Sequence, residues 1–291
     1  MNKTNSNLSG PRSDVEKFLL NIEKDGLSLI LELSNKNLVT SFSNRPDYSL
    51  LSLWNTINLS LIRSKVYEFA ISCLLEFSIT YLITGLYDGR IFLKVYSFFN
   101  VFILICNGLF VSSSWDGGLR IWNFTHHVLL IESHSNRVNK LLLLEDNLFA
   151  SGSDDITVKI WNTTNFSLAL TFPQTSSVKS LVRLNETISI LALQNYEVKI
   201  IEMKTWIVKR TINIINYVNS LVILYENMYL SVGLSDGTLQ IYETSNFNLM
   251  VSFKNATKAP NNMFFSSKLN ALASCYYFNN KCSLVFLLNY L

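Results

Sequence analysis

The chain has 291 residues, enough for one large domain or two, and 49% of them are hydrophobic while 15% are charged. A typical soluble domain carries about 25% charged residues, so this composition predicts strands that are buried on more than one face. The net charge of +3 and the lack of a Lys/Arg block argue against nucleic acid as a partner.

The N-terminal residues MNKTNSNLSGPRSD are polar, so we predict a flexible tail over 1–14 followed by a single domain over 15–291. No apolar core of a secretory signal is present, and we predict an intracellular protein, cytoplasmic with the nucleus as an alternative. The four cysteines form no CxxC pair, which favours reduced thiols over a metal site.

The most apolar stretch is VFILICNGLFV, at residues 101–111. It is interrupted by Asn107 and Gly108 and is shorter than the ~20 residues that a membrane-spanning helix needs. Two strands around a turn fit the stretch better, so we expect no membrane partner.

Short apolar or β-branched runs recur along the whole chain, split by turns that contain Asp or Asn. The turn residues Asp116, Asp155, Asn195 and Asp236 lie about forty residues apart. The clearest unit divides into four runs with no helical period, at 138–144, 148–153, 157–161 and 166–172. Related segments occur at 38–54, 81–94, 109–123, 187–201, 229–243 and 271–286. This pattern predicts an all-β, seven-bladed propeller of four-stranded antiparallel blades, with six or eight blades as alternatives.

The residues of the best units carry a family resemblance. SGSDDITVKIWN at 151–162, SSSWDGGLRIWN at 112–123 and the Ser133-His134 pair resemble WD-repeat β-propellers, also called WD40-repeat propellers. The resemblance is strong over 109–162, fair over 228–243 and weaker elsewhere. It implies a structural tetrad linking the Trp indole, the Ser hydroxyl, the His imidazole and the Asp carboxylate; its members are His134, Ser151, Asp155 and Trp161. It also implies a partial tetrad without His, made of Ser112, Asp116 and Trp122.

Two departures from the repeat predict irregular blades. The last unit stops after its third strand, and we predict that residues 15–22 supply its outer strand and close the ring, as in similar propellers. The interval from Asp88 to Asp116 is about a dozen residues short of the repeat. Blade two should therefore lack its outer strand, as a narrow blade, a deletion, or a groove that accepts a partner's strand beside Lys94.

Ser, His and Asp in reach of one another are also the members of a hydrolase triad. The sequence shows no nucleophile elbow or oxyanion-hole motif, and the Trp of the tetrad accounts for the Ser as a hydrogen-bond acceptor. His126 and His127 lack a third metal ligand. We therefore predict no catalytic residue, no cofactor and no metal, and expect that the protein is not an enzyme.

In similar propellers, the residue before each turn Asp and the residues before each inner strand face the top opening. Trp, Tyr and Arg are the residue types that most often dominate binding energy at interfaces. The predicted partner-binding top face consists of Tyr87, Phe98, Trp115, Arg137, Asp154 and Tyr217. A lone Arg argues against phosphopeptide reading, which uses Arg clusters.

The sequence thus favours a protein–protein interaction scaffold that binds a peptide or protein surface. We expect a monomeric propeller within a larger complex, as a substrate receptor or assembly subunit. One alternative is a propeller that binds or transforms a small molecule in its central opening, which would need several inward titratable groups. Another is a decaying copy without a binding role.

Overall fold

The chain folds into antiparallel β-sheets in the computed structural model. Residues 27–32, 38–45, 48–54, 61–67, 71–78, 81–86, 99–104, 109–123, 127–144, 147–254, 262–266, 271–276 and 281–286 are described by the structure. Within these ranges every regular element is a strand, as the alternation of short apolar runs and Asp or Asn turns predicts.

The first three sheets, numbered in chain order, cover the N-terminal part of the ring. Sheet one contains β1 (Leu27–Glu32), β2 (Leu38–Arg45), β3 (Tyr48–Trp54) and β4 (Leu61–Tyr67); sheet two contains β5 (Ile71–Ser78) and β6 (Tyr81–Leu86); sheet three contains β7 (Phe99–Leu104), β8 (Phe110–Ser114), β9 (Gly118–Trp122) and β10 (His127–Glu132). Strands β7 and β8 are the two strands predicted for the apolar stretch 101–111.

The remaining four sheets follow the same order. Sheet four contains β11 (Val138–Leu143), β12 (Leu148–Ser153), β13 (Thr157–Asn162) and β14 (Leu168–Pro173); sheet five contains β15 (Val178–Arg183), β16 (Ile188–Leu193), β17 (Glu197–Glu202) and β18 (Ile207–Asn213); sheet six contains β19 (Val218–Leu224), β20 (Tyr229–Leu234), β21 (Thr238–Glu243) and β22 (Leu249–Lys254); sheet seven contains β23 (Asn262–Ser266), β24 (Ala271–Tyr276) and β25 (Lys281–Phe286).

The sheets are arranged radially, as in a β-propeller. Their first strands lie beside one another in chain order, and β23 of sheet seven lies beside β1 of sheet one. In sheets four to six the inner and middle strands are largely buried, whereas the outer strands β14, β18 and β22 are mostly exposed. This gradient arises because each sheet is pressed between two neighbours close to the axis.

The expected count of seven blades, with four strands in every blade except the second, needs correction. Five sheets in the described residues have four strands, while sheet seven has three and sheet two has two. Sheet two is the sheet that precedes the short interval from Asp88 to Asp116. Residues 15–22, predicted to complete the last blade, and residues 87–98, which include the predicted edge at Lys94, lie outside the described residues.

Apolar layers fill the interfaces between neighbouring sheets. Between sheets three and four, for example, Ile121 and Val111 pack with Leu141, Phe149 and Trp161. Comparable layers join sheets four and five, five and six, and six and seven. At about 25 cal/mol per Å² of apolar area removed from water, these layers are the main source of stability.

A β-bulge recurs at the start of the inner strands. The register shifts between Val138 and Lys140 in sheet four, between Val178 and Ser180 in sheet five, and at the matching places of sheets one, two, three and six. A bulge leaves one residue unpaired and redirects its side chain. The bulged residue Asn139 consequently reaches out of its own strand and donates to the Val178 carbonyl of the next sheet at 2.9 Å.

We predict that Gly117→Ala destabilises the protein by more than about 1 kcal/mol. Gly117 has a φ of 85°, and a Cβ there would lie 2.2 Å from the backbone oxygen of His134. Denaturant unfolding of this variant should be compared with Gly118→Ala as the matched control, because a Cβ at Gly118 meets side-chain atoms at 3.0 Å or more. Equal stability of the two variants would contradict this account.

Candidate functional site

Two sets of loops lie at the same edge of the ring. In an antiparallel sheet of four sequential strands, the turn between strands two and three and the connection to the next sheet emerge at one end. We call this end the top edge. Its described turns are 115–117, 154–156, 194–196 and 235–237, and its described connections are 133–137, 174–177 and 214–217.

The structure brings the four residues of the predicted tetrad together in sheet four. The indole N–H of Trp161 donates to Ser151 Oγ at 2.8 Å. Ser151 Oγ lies 2.7 Å from His134 Nε2, and His134 Nδ1 lies 2.8 Å from Asp155 Oδ2. These distances fit a neutral imidazole whose Nδ1–H donates to the carboxylate and whose Nε2 accepts from the hydroxyl.

His134 also connects two sheets. Its backbone N–H donates to the Gly117 carbonyl of sheet three at 3.0 Å, while its side chain bonds to Ser151 and Asp155 of sheet four. The Ser133 hydroxyl donates to the same Gly117 carbonyl at 2.6 Å. The Ser-His pair is therefore a junction between neighbouring sheets, which is a structural task.

The protonation of the relay follows from its burial. Desolvation lowers the pKa of His134 below its ordinary value, and the adjacent Asp155 carboxylate offsets part of that effect. Burial alone would raise the pKa of Asp155, but hydrogen bonds from Thr157 and His134 outweigh it and hold that pKa below its ordinary value. The pair therefore persists at neutral pH as imidazole and carboxylate.

The geometry also bears on the hydrolase reading of Ser, His and Asp. Ser151 is 0% exposed, and its oxygen is engaged by both Trp161 and His134. A nucleophilic Ser needs an oxygen that a substrate can reach. The relay in this structure thus fixes strands and does not present a reactive group.

The relay is reduced in sheet three and lost in sheet five. In sheet three, Trp122 donates to Ser112 at 2.8 Å, while Asp116 pairs with Arg120 at 2.6 Å. In sheet five, Leu191 and Ile201 replace Ser and Trp in the matching register and are buried in the apolar layer shared with sheet four.

Side chains from neighbouring sheets meet in pairs along the top edge. The Arg137 guanidinium carbon lies 4.4 Å from the centroid of the Trp115 ring. Asp154 Oδ1 lies 2.6 Å from Lys179 Nζ and accepts from Asn139 Nδ2 at 2.7 Å. These contacts join sheets three and four, then four and five.

A third pair continues the series between sheets five and six. The rings of Tyr196 and Tyr217 stack with their centroids 4.7 Å apart and 25° between their planes. A hydrogen bond with Tyr217 raises the pKa of the Tyr196 phenol above its ordinary value. Both rings are exposed, so the pair presents aromatic surface to solvent.

The structure places four of the six predicted top-face residues at this edge: Trp115, Arg137, Asp154 and Tyr217. Tyr87 and Phe98 lie outside the described residues. Sequence reasoning missed Ile156, Tyr196 and Ile215, which are exposed on the same edge. The available signal was the position after the turn Asp or Asn, where sheets three and six have Gly117 and Gly237. We call Trp115, Arg137, Ile156, Tyr196, Ile215 and Tyr217 the top-face arc.

Two residues of the top-face arc have left-handed backbone conformations. Ile156 has a φ of 62° and Tyr196 a φ of 69°, at the turn position where Gly117 and Gly237 have φ values of 85° and 84°. A bulky or β-branched residue in this region is a genuine outlier and costs roughly 1–3 kcal/mol. Glycine would adopt the same turn without that cost.

Left-handed aromatic residues also occur at the opposite edge, where packing explains them. Phe166, Trp206 and Phe247 have φ values of 58°, 57° and 53°, and each is packed against a buried apolar layer. Ile156, by contrast, is 48% exposed. Its apolar side chain therefore gains little from the protein's own packing.

No group of three or more His, Cys, Asp or Glu side chains within the described residues could hold a metal ion. No helix in the described parts of the chain has the length and apolarity needed to cross a bilayer.

Comparisons with known proteins agree with this architecture. The crystal structure of the computationally designed Ika8 protein has a similar fold, with a TM-score of 0.69, 16% identity, and coverage of 89% of this chain and 82% of that chain. In all, 1604 chains of solved structures match, so the fold by itself does not specify a function. No curated protein sequence matches the chain.

The radial antiparallel sheets make the protein an all-β propeller built from repeats. A family model described as WD domain, G-beta repeat, matches residues 126–162. This segment contains all four residues of the relay. The matched repeat and the sheet arrangement are consistent with the WD40 β-propeller family. The predicted resemblance to WD-repeat propellers is thereby confirmed.

We predict that Trp161→Ala lowers the free energy of unfolding by about 3–5 kcal/mol, because it deletes a large buried side chain. Trp161→Phe keeps an aromatic ring beside Phe149, whose centroid lies 6.4 Å away. This variant should lose less, about 1–2 kcal/mol, mainly for the missing N–H donor. Chemical denaturation measures both changes. A Trp161→Ala variant as stable as the parent would refute the buried relay.

We predict that the free energy of unfolding falls as the pH drops below about 6.5. The pKa of His134 is lower in the folded chain, so the unfolded chain binds a proton first and acid favours unfolding. Above the pKa of the unfolded chain the imidazole is neutral in both states, and the free energy of unfolding keeps its full value. It falls as the pH drops from the unfolded pKa toward the folded pKa. Denaturation across this range should show a shallower pH dependence for His134→Gln than for the parent. An unchanged slope would contradict the assignment.

Proposed function

We propose that the protein is a non-enzymatic scaffold that binds a peptide or protein surface through its top edge. WD40 propellers are generally protein-interaction scaffolds, which supports an interaction function for this chain. The observation that carries it is a row of exposed side-chain pairs at the junctions between sheets. Trp115 pairs with Arg137, and Tyr196 pairs with Tyr217. Exposed Trp, Tyr and Arg side chains are the residue types that anchor interfaces.

The proposal includes the finer features expected from the sequence. Sheets two and seven would be the two remaining blades of a seven-bladed ring, with residues 15–22 completing sheet seven. The ring over 15–291 would act as a substrate receptor or assembly subunit inside the cell, in the cytoplasm or the nucleus. Tyr87 and Phe98 would extend the binding surface beyond Trp115.

The described inner strands do not favour the alternative of a ligand in the central opening. Ser180 and Ser220 occupy the positions in sheets five and six that are equivalent to Lys140 in sheet four. Both are almost completely buried. The Leu221 N–H donates to Ser180 Oγ at 3.3 Å, so the inner strands of sheets five and six are in direct contact. At that level of sheets four to six the titratable group is Lys140, whose pKa burial lowers, and one such group is fewer than the several that the alternative needs.

We predict that Trp115→Ala weakens partner binding by about 2 kcal/mol, or roughly thirty-fold, as for a central anchor residue. Its side chain is partly exposed, so the melting temperature should change little. The matched control is Met228→Ala, an exposed apolar residue in the turn between β19 and β20 at the opposite edge.

Partners recovered with the tagged full chain should be quantified by mass spectrometry for the parent and both variants. Proteins that depend on the top edge should be depleted with Trp115→Ala and retained with Met228→Ala. Equal recovery with both variants would overturn the assignment of the binding face.

A further inference from the structure

We propose that the top-face arc recognises an acidic, apolar segment of a partner protein. In this proposal a carboxylate of the partner binds Arg137, and apolar side chains of the same segment contact Ile156, Tyr196 and Tyr217. The inference rests on the proposed function and names the chemistry of the partner that the top edge accepts.

The charge preference follows from the state of Arg137. Its guanidinium lies over the Trp115 ring, and no carboxylate among the described residues pairs with it. The side chain is exposed, so its N–H donors face solvent. A guanidinium held over an aromatic ring loses less conformational freedom when two of its N–H donors bind a carboxylate.

Four acidic side chains of the described turns, or of the strands that follow them, have partners within the protein. Asp116 pairs with Arg120 at 2.6 Å, and Asp154 pairs with Lys179 at 2.6 Å. Farther along, Glu197 lies 3.5 Å from Lys199 Nζ, and Asp236 accepts from Asn216 at 2.9 Å. Among the six described residues of the top-face arc, Arg137 is the cation available to a partner, and the charge complementary to it is negative.

The apolar preference follows from the left-handed turns. Ile156 and Tyr196 occupy positions that Gly117 and Gly237 fill in sheets three and six with less backbone strain. The strained side chains are exposed, and Ile215 on the next connection is 88% exposed. The strain at Ile156 is not offset by the protein's own packing, which indicates a role for this side chain outside the folding of the chain. Apolar contact with a partner would be such a role.

Backbone contacts make the arc one continuous surface. The Asp154 N–H donates to the Arg137 carbonyl at 2.9 Å, which holds Arg137 against the turn that carries Ile156. In the next two sheets, Gln194 donates to Ser177 at 2.9 Å and Ser235 to Tyr217 at 2.8 Å. The charged and apolar contacts thus lie on adjacent loops that a single extended segment can cross.

The test uses the full chain and three pools of synthetic peptides. Each pool combines Leu, Ile and Phe with a second residue type: Asp and Glu, Lys and Arg, or Ser and Gln. Fluorescence polarisation measures affinity. The acidic pool should bind best, and its affinity should fall with rising ionic strength because the charged contact is exposed.

Arg137→Glu should weaken binding of the acidic pool about thirty-fold and shift the preference to the basic pool. Arg183→Glu makes the same charge change at the opposite edge, where the Arg183 Nε–H donates to the Asn185 carbonyl, and should preserve the acidic preference. Stronger binding of the neutral or basic pool by the parent would overturn the inference. So would an acidic preference that survives Arg137→Glu or is lost with Arg183→Glu.

Ile156→Gly tests the apolar contact separately. It should weaken binding of the acidic pool while leaving the melting temperature unchanged or raised, because glycine relieves the left-handed backbone. A lower melting temperature with unchanged binding would assign Ile156 to the fold and refute its role in recognition.

Failure of this inference is distinguishable from failure of the proposed function. If no peptide pool binds but cellular partners still depend on Trp115, the scaffold function stands and the acidic, apolar specificity is wrong. If neither the pools nor any cellular partner depends on Trp115, both proposals fail.

Discussion

The attachment of His134 to two sheets at once is the interaction on which the described top edge depends. Its backbone is bonded to Gly117 in sheet three, and its side chain reaches Ser151 and Asp155 in sheet four. Apolar packing alone is not directional, whereas these hydrogen bonds fix the rotation of one sheet against the next. Arg137 follows shortly after this fixed point, which is why it meets Trp115 across the junction.

The junction into sheet five uses other hydrogen bonds: Thr175 donates to Glu197 at 2.9 Å and accepts from Asn195 at 3.1 Å. Gln174 and Asn195 occupy the places of His134 and Asp155 by repeat register, and Gln174 Nε2 and Asn195 Oδ1 are buried without a hydrogen-bond partner in the described residues. Unpaired buried polar atoms reduce stability, so the apolar layers on both sides must offset them. The junction at His134 therefore has a complete relay, whereas the junction at Gln174 has hydrogen bonds that leave two buried polar atoms unpaired.

Much of the fold was predictable because the repeat is written in residues with strong local preferences. Asp turns, β-branched runs and the Ser, His and Trp of sheet four indicate the strands and the relay from the sequence alone. The strand count of each sheet was less predictable, because sheets two and seven depend on residues far from the best repeats. Ile156 and Tyr196 escaped prediction for a physical reason: a sequence does not reveal a left-handed backbone at a residue that disfavours it.

The contrast between Gly117 and its equivalents has an evolutionary consequence. A side chain at Gly117 would collide with the backbone of His134, so that turn can accept no variation without disturbing the junction. The equivalent turns of sheets four and five already accommodate Ile156 and Tyr196. Single substitutions there can alter what the protein recognises while the ring stays intact, so specificity can diversify in one sector as the neighbouring sector remains fixed.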